Sequence, residues 1–342
     1  MKVLRFFSLA IAVAALFLST ACLPSSPTDT AEKPTITVYG FSIMKEVMEK
    51  EIFPAFAAKW KADHGTDVGF TSSFAGSETV TNQILQGTPA DVAILSIDRD
   101  AERLRDGKAT TTDWHQWPQK GIVNKTPFVI IVRKGNPQNI HDFADLGRPG
   151  VKLIHPDPVS SGGAQWSILA IYGSELKKSE AENGKPDPVR ALNTLKAIWN
   201  NVISTPGSAR EARTQFETGY GDAFITYELE GLAMKQAGEP IDMIVPKSTI
   251  YSEHPVVIID RNMTDAKRAV AQAFIDYLWS DDAQKAFVKY HFRSVTDDAL
   301  NQATPEFAKI EMPFTVDEMF GGWDKAYPDV IQNIFLQQVQ KR

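Results

Sequence analysis

Short apolar runs alternate along this chain with longer stretches in which apolar residues recur every three or four positions. The first kind fits strands; the second fits helices that bury one stripe. Residues 35–39 predict a strand, and 44–64 a long helix with Val47, Ile52, Phe53, Phe56 and Trp60 on one face and Pro54 as a point of bending. A strand at 68–72, a helix at 77–86 closed by Gly87 and an apolar strand at 91–95 follow. The β-branched run 128–132 ends in a polar turn. A second set then predicts strand 151–154, helix 164–176, an exposed loop 177–188, helix 189–200, strand 201–204, helix 209–218 and strand 222–227. Strand 255–260 and a helical pattern over 265–290, in which Asp281-Asp282 begins or interrupts a helix, precede a mixed tail. Such alternation implies βαβ units and parallel pairing.

The first 22 residues break this pattern. Lys2 and Arg5 precede an apolar run at 6–18, closed by Ser19-Thr20-Ala21-Cys22. The run is too short for a mature membrane span and has the layout of a secretory signal peptide, residues 1–21. Small residues before a cysteine resemble a bacterial lipobox, which makes Cys22 the expected lipid attachment point. Ser19 stands where a lipobox usually has Leu. Residues 22–34, rich in Ser, Pro and Thr, read as a tether.

Cys22 is also the chain's single cysteine, which excludes a disulfide framework and a Cys-rich metal site. The six histidines show no H-x-x-x-H spacing, so no metal or other cofactor is expected. The net charge of −6 argues against a nucleic-acid partner, and an anionic ligand would have to be caught by local geometry. At 342 residues and 43% hydrophobic, the chain can bury the cores of about two domains.

Three turns carry the candidate chemistry. Ala75-Gly76-Ser77, Ser160-Ser161-Gly162-Gly163 and Pro206-Gly207-Ser208 each place small residues just before a predicted helix. A helix N-terminus leaves its first N–H groups unpaired, and they converge with about half a positive charge from the macrodipole. Glycine permits close backbone approach and serine adds a hydroxyl donor. Each turn taken singly also fits ordinary helix capping. Their repetition, and the two glycines after Ser161, favour an anion site made without formal charge. Two α/β lobes that hinge shut would trap such a ligand between them.

The segment 158–166 (Pro-Val-Ser-Ser-Gly-Gly-Ala-Gln-Trp) resembles the signature of the periplasmic sulfate- and thiosulfate-binding proteins of ABC importers. Gly76-Ser77, the Arg-Lys-Gly-Asn-Pro stretch at 133–137 and the Phe-Gly-Gly-Trp stretch at 320–323 carry the same resemblance, which runs from about residue 35 to 326. It implies an α/β, two-lobe periplasmic-binding-protein fold, each lobe a mainly parallel sheet flanked by helices, with the ligand in the inter-lobe cleft. The first lobe would take 35–125 and return at 251–292, the second would take 126–250, and 293–342 would be a C-terminal extension.

The resemblance also implies a sulfate or thiosulfate dianion held by neutral donors. These are the backbone N–H of Ser77, the Ser161 hydroxyl, the N–H groups of Gly162 and Gly163, and the N–H of Ser208. Tyr227 stands where the family has an indole donor, Phe41 with Ser42 beside it where the family has Asp, and Gln165 where it has Arg. These departures leave molybdate, tungstate or phosphate as alternative ligands. The implied partners are ABC permease subunits and, through the lipid, the membrane; the chain itself would be a monomer. A sensor lipoprotein that does not transport stays open. A hydrolase with Ser161 as nucleophile and His155 as base lacks the G-x-S-x-G elbow, so no enzyme activity is expected. Trp323, beside Gly321-Gly322, reads as packing, and His254 as solvated or capping.

Overall fold

Ile36 and Val38, both fully buried, alternate with half-buried Thr35 and Thr37 along the first strand, β1 (Thr35–Phe41). The computed structural model describes residues 33–340; the signal sequence, Cys22 and nearly all of the tether lie outside the described residues. β1 pairs in parallel with β2 (Gly69–Ala75) and β3 (Val92–Ile94). At the other end of the sheet, β5 (Leu153–Ile154) pairs in parallel with β6 (Val202–Ser204) and β7 (Ala223–Tyr227). Two long strands, β4 (Ile122–Arg133) and β9 (Ser248–Ile258), run antiparallel to each other between these sets. β9 also pairs with β3, and β4 with β7 and with β8 (Ile241–Ile244). The result is one mixed sheet of order β2-β1-β3-β9-β4-β7-β5-β6, with helices packed on it.

The helices up to residue 289 are α1 (42–64), α2 (Ser77–Leu85), α3 (Asp98–Asp106), α4 (Gly162–Asn183), α5 (Pro188–Trp199), α6 (Ala209–Glu217), α7 (Glu228–Gln236), α8 (Asp265–Tyr277) and α9 (Asp281–Lys289), and further short helices and a last one at Tyr327–Gln340 follow. α2, α4 and α6 each follow a strand of the sheet, so each N-terminus lies at the carboxyl ends of its own set of parallel strands, where ligands of open α/β sheets collect. Trp166 of α4 is fully buried and meets Trp323 edge-on, ring centroids 4.7 Å apart, in the packing role expected for Trp323.

The structure corrects some sequence expectations and refines others. α1 covers the helix expected at 44–64, and the turn Met48–Ile52 before Pro54 is widened and accommodates the missing N–H. The loop expected at 177–188 is mostly helix: α4 continues to Asn183 and stops at Gly184, whose φ is +75°. Ion pairing makes this polar stretch helical, with Lys178 Nζ 2.6 Å from Glu175 and 3.2 Å from Asp142. The pattern over 265–290 divides where Asp281-Asp282 is expected to begin or interrupt a helix: the Ser280 side chain accepts the Ala283 N–H and starts a second helix at Asp281. α3, α7, β8 and the first half of β9 were not anticipated. His254 is fully buried on β9 and hydrogen-bonded to Asn124, not solvated.

Candidate functional site

β1 ends at Phe41, β2 at Ala75, β3 at Ile94 and β7 at Tyr227. Where these strand ends converge a small cavity of about 10 Å³ opens, lined by Phe41, Ser42, Ile43, Ala75, Gly76, Ser77, Ser96, Ser161, Gly163, Ala209 and Tyr227. None of these residues is charged. The helix N-termini of α2, α4 and α6 all contribute: Gly76 caps α2, Ser161 caps α4 and Ser208 caps α6. Six of the eight residues singled out in the sequence thus share one cavity. Gly162 and Ser208, both buried, are each one residue away along the chain from a lining residue, and Ala209 lines the third turn.

The glycines are there because the two ends of the sheet meet closely. A Cβ on Gly76 would lie 2.3 Å from the Ser160 carbonyl oxygen and 2.7 Å from that of Gly207. One on Gly163 would lie 2.9 Å from Tyr227 Oη, and one on Gly162 2.8 Å from Ser96 Cβ. Side chains at 162 and 163 would therefore fill the cavity wall.

Ser96 escaped the sequence reading and sits at the centre of the site. Its N–H donates to Ser77 Oγ at 3.0 Å, its carbonyl accepts Trp166 Nε1 at 2.6 Å, and its hydroxyl is 2.8 Å from Tyr227 Oη. Ser77 Oγ in turn donates to Asp100 at 2.6 Å, which leaves the Ser77 backbone N–H as its group for the cavity. Asp100 is fully buried; burial and the neighbouring Glu78 raise its pKa to about 8. Glu78 is paired with Arg99 at 2.9 Å and with Arg103, and it accepts Gln165 Nε2 at 2.8 Å. Gln165 therefore bridges α4 to α2 without adding a charge.

The aromatic wall is equally neutral. Tyr227 packs against Phe128 and Phe41, with centroids 4.6 and 6.0 Å away, and burial pushes its hydroxyl pKa up. His254 lies 4.6 Å behind Phe41, its pKa lowered to about 3 by burial, so it brings no cation. His155, lowered to about 4 by burial, bonds Ser167 at 2.5 Å and the Pro156 carbonyl at 2.7 Å, not Ser161. Ser161 Oγ instead accepts the Ala164 N–H at 3.4 Å. Among the described residues Asp98, Glu102 and His115 bring ligand atoms within 4.8 Å of one another. Asp98 already accepts Trp114 Nε1 at 2.8 Å, and Glu102 pairs with Arg105.

The site thus gathers amide and hydroxyl donors from three helix ends and no charged side chain. Residues 36–293 match the family model described as bacterial extracellular solute-binding protein. A sulfate-binding protein of Synechococcus elongatus is 31% identical, covering 94% of this chain and 91% of that protein. A thiosulfate-binding protein of Escherichia coli is 33% identical over 84% of this chain and 86% of that one. The solved structure of the sulfate-binding protein SubI from Mycobacterium tuberculosis superposes with a TM-score of 0.77 at 30% identity, covering 86% of this chain and 98% of that one. On these likenesses the chain belongs to the sulfate- and thiosulfate-binding branch of the bacterial extracellular solute-binding proteins.

Proposed function

We propose that this chain is the receptor that captures sulfate or thiosulfate outside the cytoplasmic membrane and delivers it to an ABC permease, with no chemical turnover. The observation that carries the reading is the uncharged cavity at which three helix N-termini converge. The backbone N–H groups of Ser77, Gly162, Gly163 and the Ser208-Ala209 turn, with the Ser161 hydroxyl and the Phe41-Ser42 turn, would hold the dianion. Hydrogen bonds to a charged group contribute about 1.5–3 kcal/mol each, and six or seven offset its desolvation. After ordering costs, about −8 kcal/mol remains, which is micromolar binding.

The ends of the sheet act as two lobes that close on the ligand, the crossing strands β4 and β9 serving as the hinge. Cys22 carries the lipid that tethers the mature chain, a monomer, to the membrane. Calorimetry with sulfate, thiosulfate, molybdate and phosphate at neutral pH tests the ligand. Sulfate or thiosulfate is expected at micromolar affinity or tighter; heat from none of the four would overturn the reading. Mass analysis of the exported protein, with Cys22→Ser as control, tests the anchor.

A further inference from the structure

Beside the amides and the serine hydroxyls of the helix ends, the wall of the cavity holds two hydroxyls bonded to each other. Tyr227 Oη and Ser96 Oγ lie 2.8 Å apart, both line the cavity, and either can be the donor of the bond between them. Both residues are 1% exposed. Their oxygens are held in place from several sides. The Ser96 backbone is pinned by Ser77 of α2 and by Trp166 of α4. The Tyr227 ring is wedged between Phe41, Phe128 and His254. Burial keeps the phenol protonated.

A backbone N–H can only donate; a hydroxyl can donate and accept. Two hydroxyls bonded to each other spend one hydrogen between them. Whichever way that bond runs, one O–H remains to donate into the cavity, and the other oxygen keeps a lone pair. Reversing the bond exchanges the two roles without moving a heavy atom.

We propose that the Ser96–Tyr227 pair is a specificity element, a reversible donor–acceptor couple that lets this site take a singly protonated tetrahedral oxyanion, of the hydrogen phosphate class, beside an unprotonated one. The proposal rests on the receptor reading and deepens it. A cavity lined by N–H groups alone would set the ligand's own O–H against donors and leave it unpaired, which costs a buried polar group its partner. Here that O–H meets an oxygen that accepts it. The couple therefore narrows the gap between sulfate and phosphate that an all-amide site would open.

The test is calorimetry with sulfate and with inorganic phosphate, at a mildly alkaline pH where phosphate still carries one proton. It uses the mature wild-type chain and the variants Ser96→Ala, Tyr227→Phe and their combination. The wild type is expected to bind both ions. The double variant is expected to lose at least about tenfold more affinity for phosphate than for sulfate, an unpaired buried polar group being of that order. Each single variant leaves one hydroxyl without its partner and should shift the ratio in the same direction by less. Equal losses for the two ions would overturn the proposal, as would sulfate binding by the wild type with no phosphate binding. A wild type that binds neither ion would overturn the receptor reading and this proposal together. Should the double variant fail to fold, Ser96→Cys combined with Tyr227→Phe, which keeps both side-chain volumes and leaves only a weak sulfur acceptor, takes its place: equal losses for the two ions in that variant overturn the couple.

Discussion

Arg210 of α6 and Glu46 of α1 are joined by two parallel N–H···O bonds, each 2.8 Å, across the line where the two ends of the sheet meet. Behind them Arg210 also reaches Glu230, 1% exposed, at 3.2 Å. The fork geometry fits a guanidinium and would not be reproduced by lysine. Both partners are about one-third exposed, so solvent and salt screen the pair. Its contribution is about 0.2–1 kcal/mol.

Glu46→Gln leaves the Arg210–Glu230 contact in place and removes only the bridge. On the proposed closure of two lobes the bridge belongs to the shut state, so its loss should speed ligand release by roughly two- to fivefold, leaving Tm nearly unchanged. Stopped-flow release measured against ionic strength checks this: added salt should speed wild-type release towards the variant's rate and leave the variant's rate unaltered. An identical salt dependence in both proteins would show that the bridge has no part in closure.

Asp100 gives a pH dependence of defined sign. Its carboxyl has a pKa of about 8 in the folded chain, against an ordinary value of 3.8, because it is buried beside Glu78. A group whose folded pKa is raised favours the fold most fully below its unfolded pKa, and that contribution is lost as pH rises towards the folded value. Stability should therefore fall between about pH 4 and pH 8 by a few kcal/mol from this group. Asp100→Asn keeps an oxygen for Ser77 Oγ and removes the titration. Denaturant unfolding across that range should show a flatter profile in the variant, its advantage largest at the alkaline end; parallel profiles would remove Asp100 as the cause.

The contrast between Ser161 and Ser96 shows what the sequence could reveal. Ser161 is followed by two glycines and an apolar helix, a pattern that announces a helix end whose backbone must be approached closely. Ser96 follows an apolar strand and precedes Ile97 and then α3, whose nine residues, Asp-Arg-Asp-Ala-Glu-Arg-Leu-Arg-Asp, bury only Asp100, Ala101 and Leu104. With so few apolar positions α3 left little periodicity to read, and its start could not be fixed from the pattern. Ser96 matters only because Tyr227, 131 positions later, comes to lie on it. α7 is hidden similarly: Glu228 and Glu230 interrupt its apolar pattern, yet they are buried against Arg293 and against Arg210 and Arg213. Strand-to-helix turns are local signals; the pairings that complete the site are long-range and carry no local mark.

Ser161→Ala should weaken sulfate or thiosulfate binding by about 1–3 kcal/mol, since the hydroxyl is lost while the turn's amides remain. The same substitution removes the cap that accepts the Ala164 N–H, at a cost of roughly 1 kcal/mol in stability. The two effects separate in a titration followed by melting curves with and without saturating ligand. Unaltered affinity with a lowered Tm would leave Ser161 as a cap only.

Gly76→Ala isolates closure from folding. Gly76 has φ −60° and ψ 140°, a conformation any residue adopts, so alanine brings no backbone strain. What it brings is a methyl group directed at the Ser160 and Gly207 carbonyl oxygens, 2.3 and 2.7 Å away. Both belong to the turns before α4 and α6, on the opposite side of the cleft from α2, and both are backbone atoms that cannot swing aside. On the proposed closure of two lobes, this overlap belongs to the shut state. The variant should therefore fold and melt close to wild type without ligand, yet bind sulfate or thiosulfate at least about a hundredfold more weakly, a closed state made unfavourable by roughly 3 kcal/mol or more. Small-angle scattering should show the wild type contracting as ligand is added and the variant staying extended. Contraction and affinity like those of the wild type would mean that the cleft closes without bringing α2 against the two turns, and the three helix ends would not act on one ligand together.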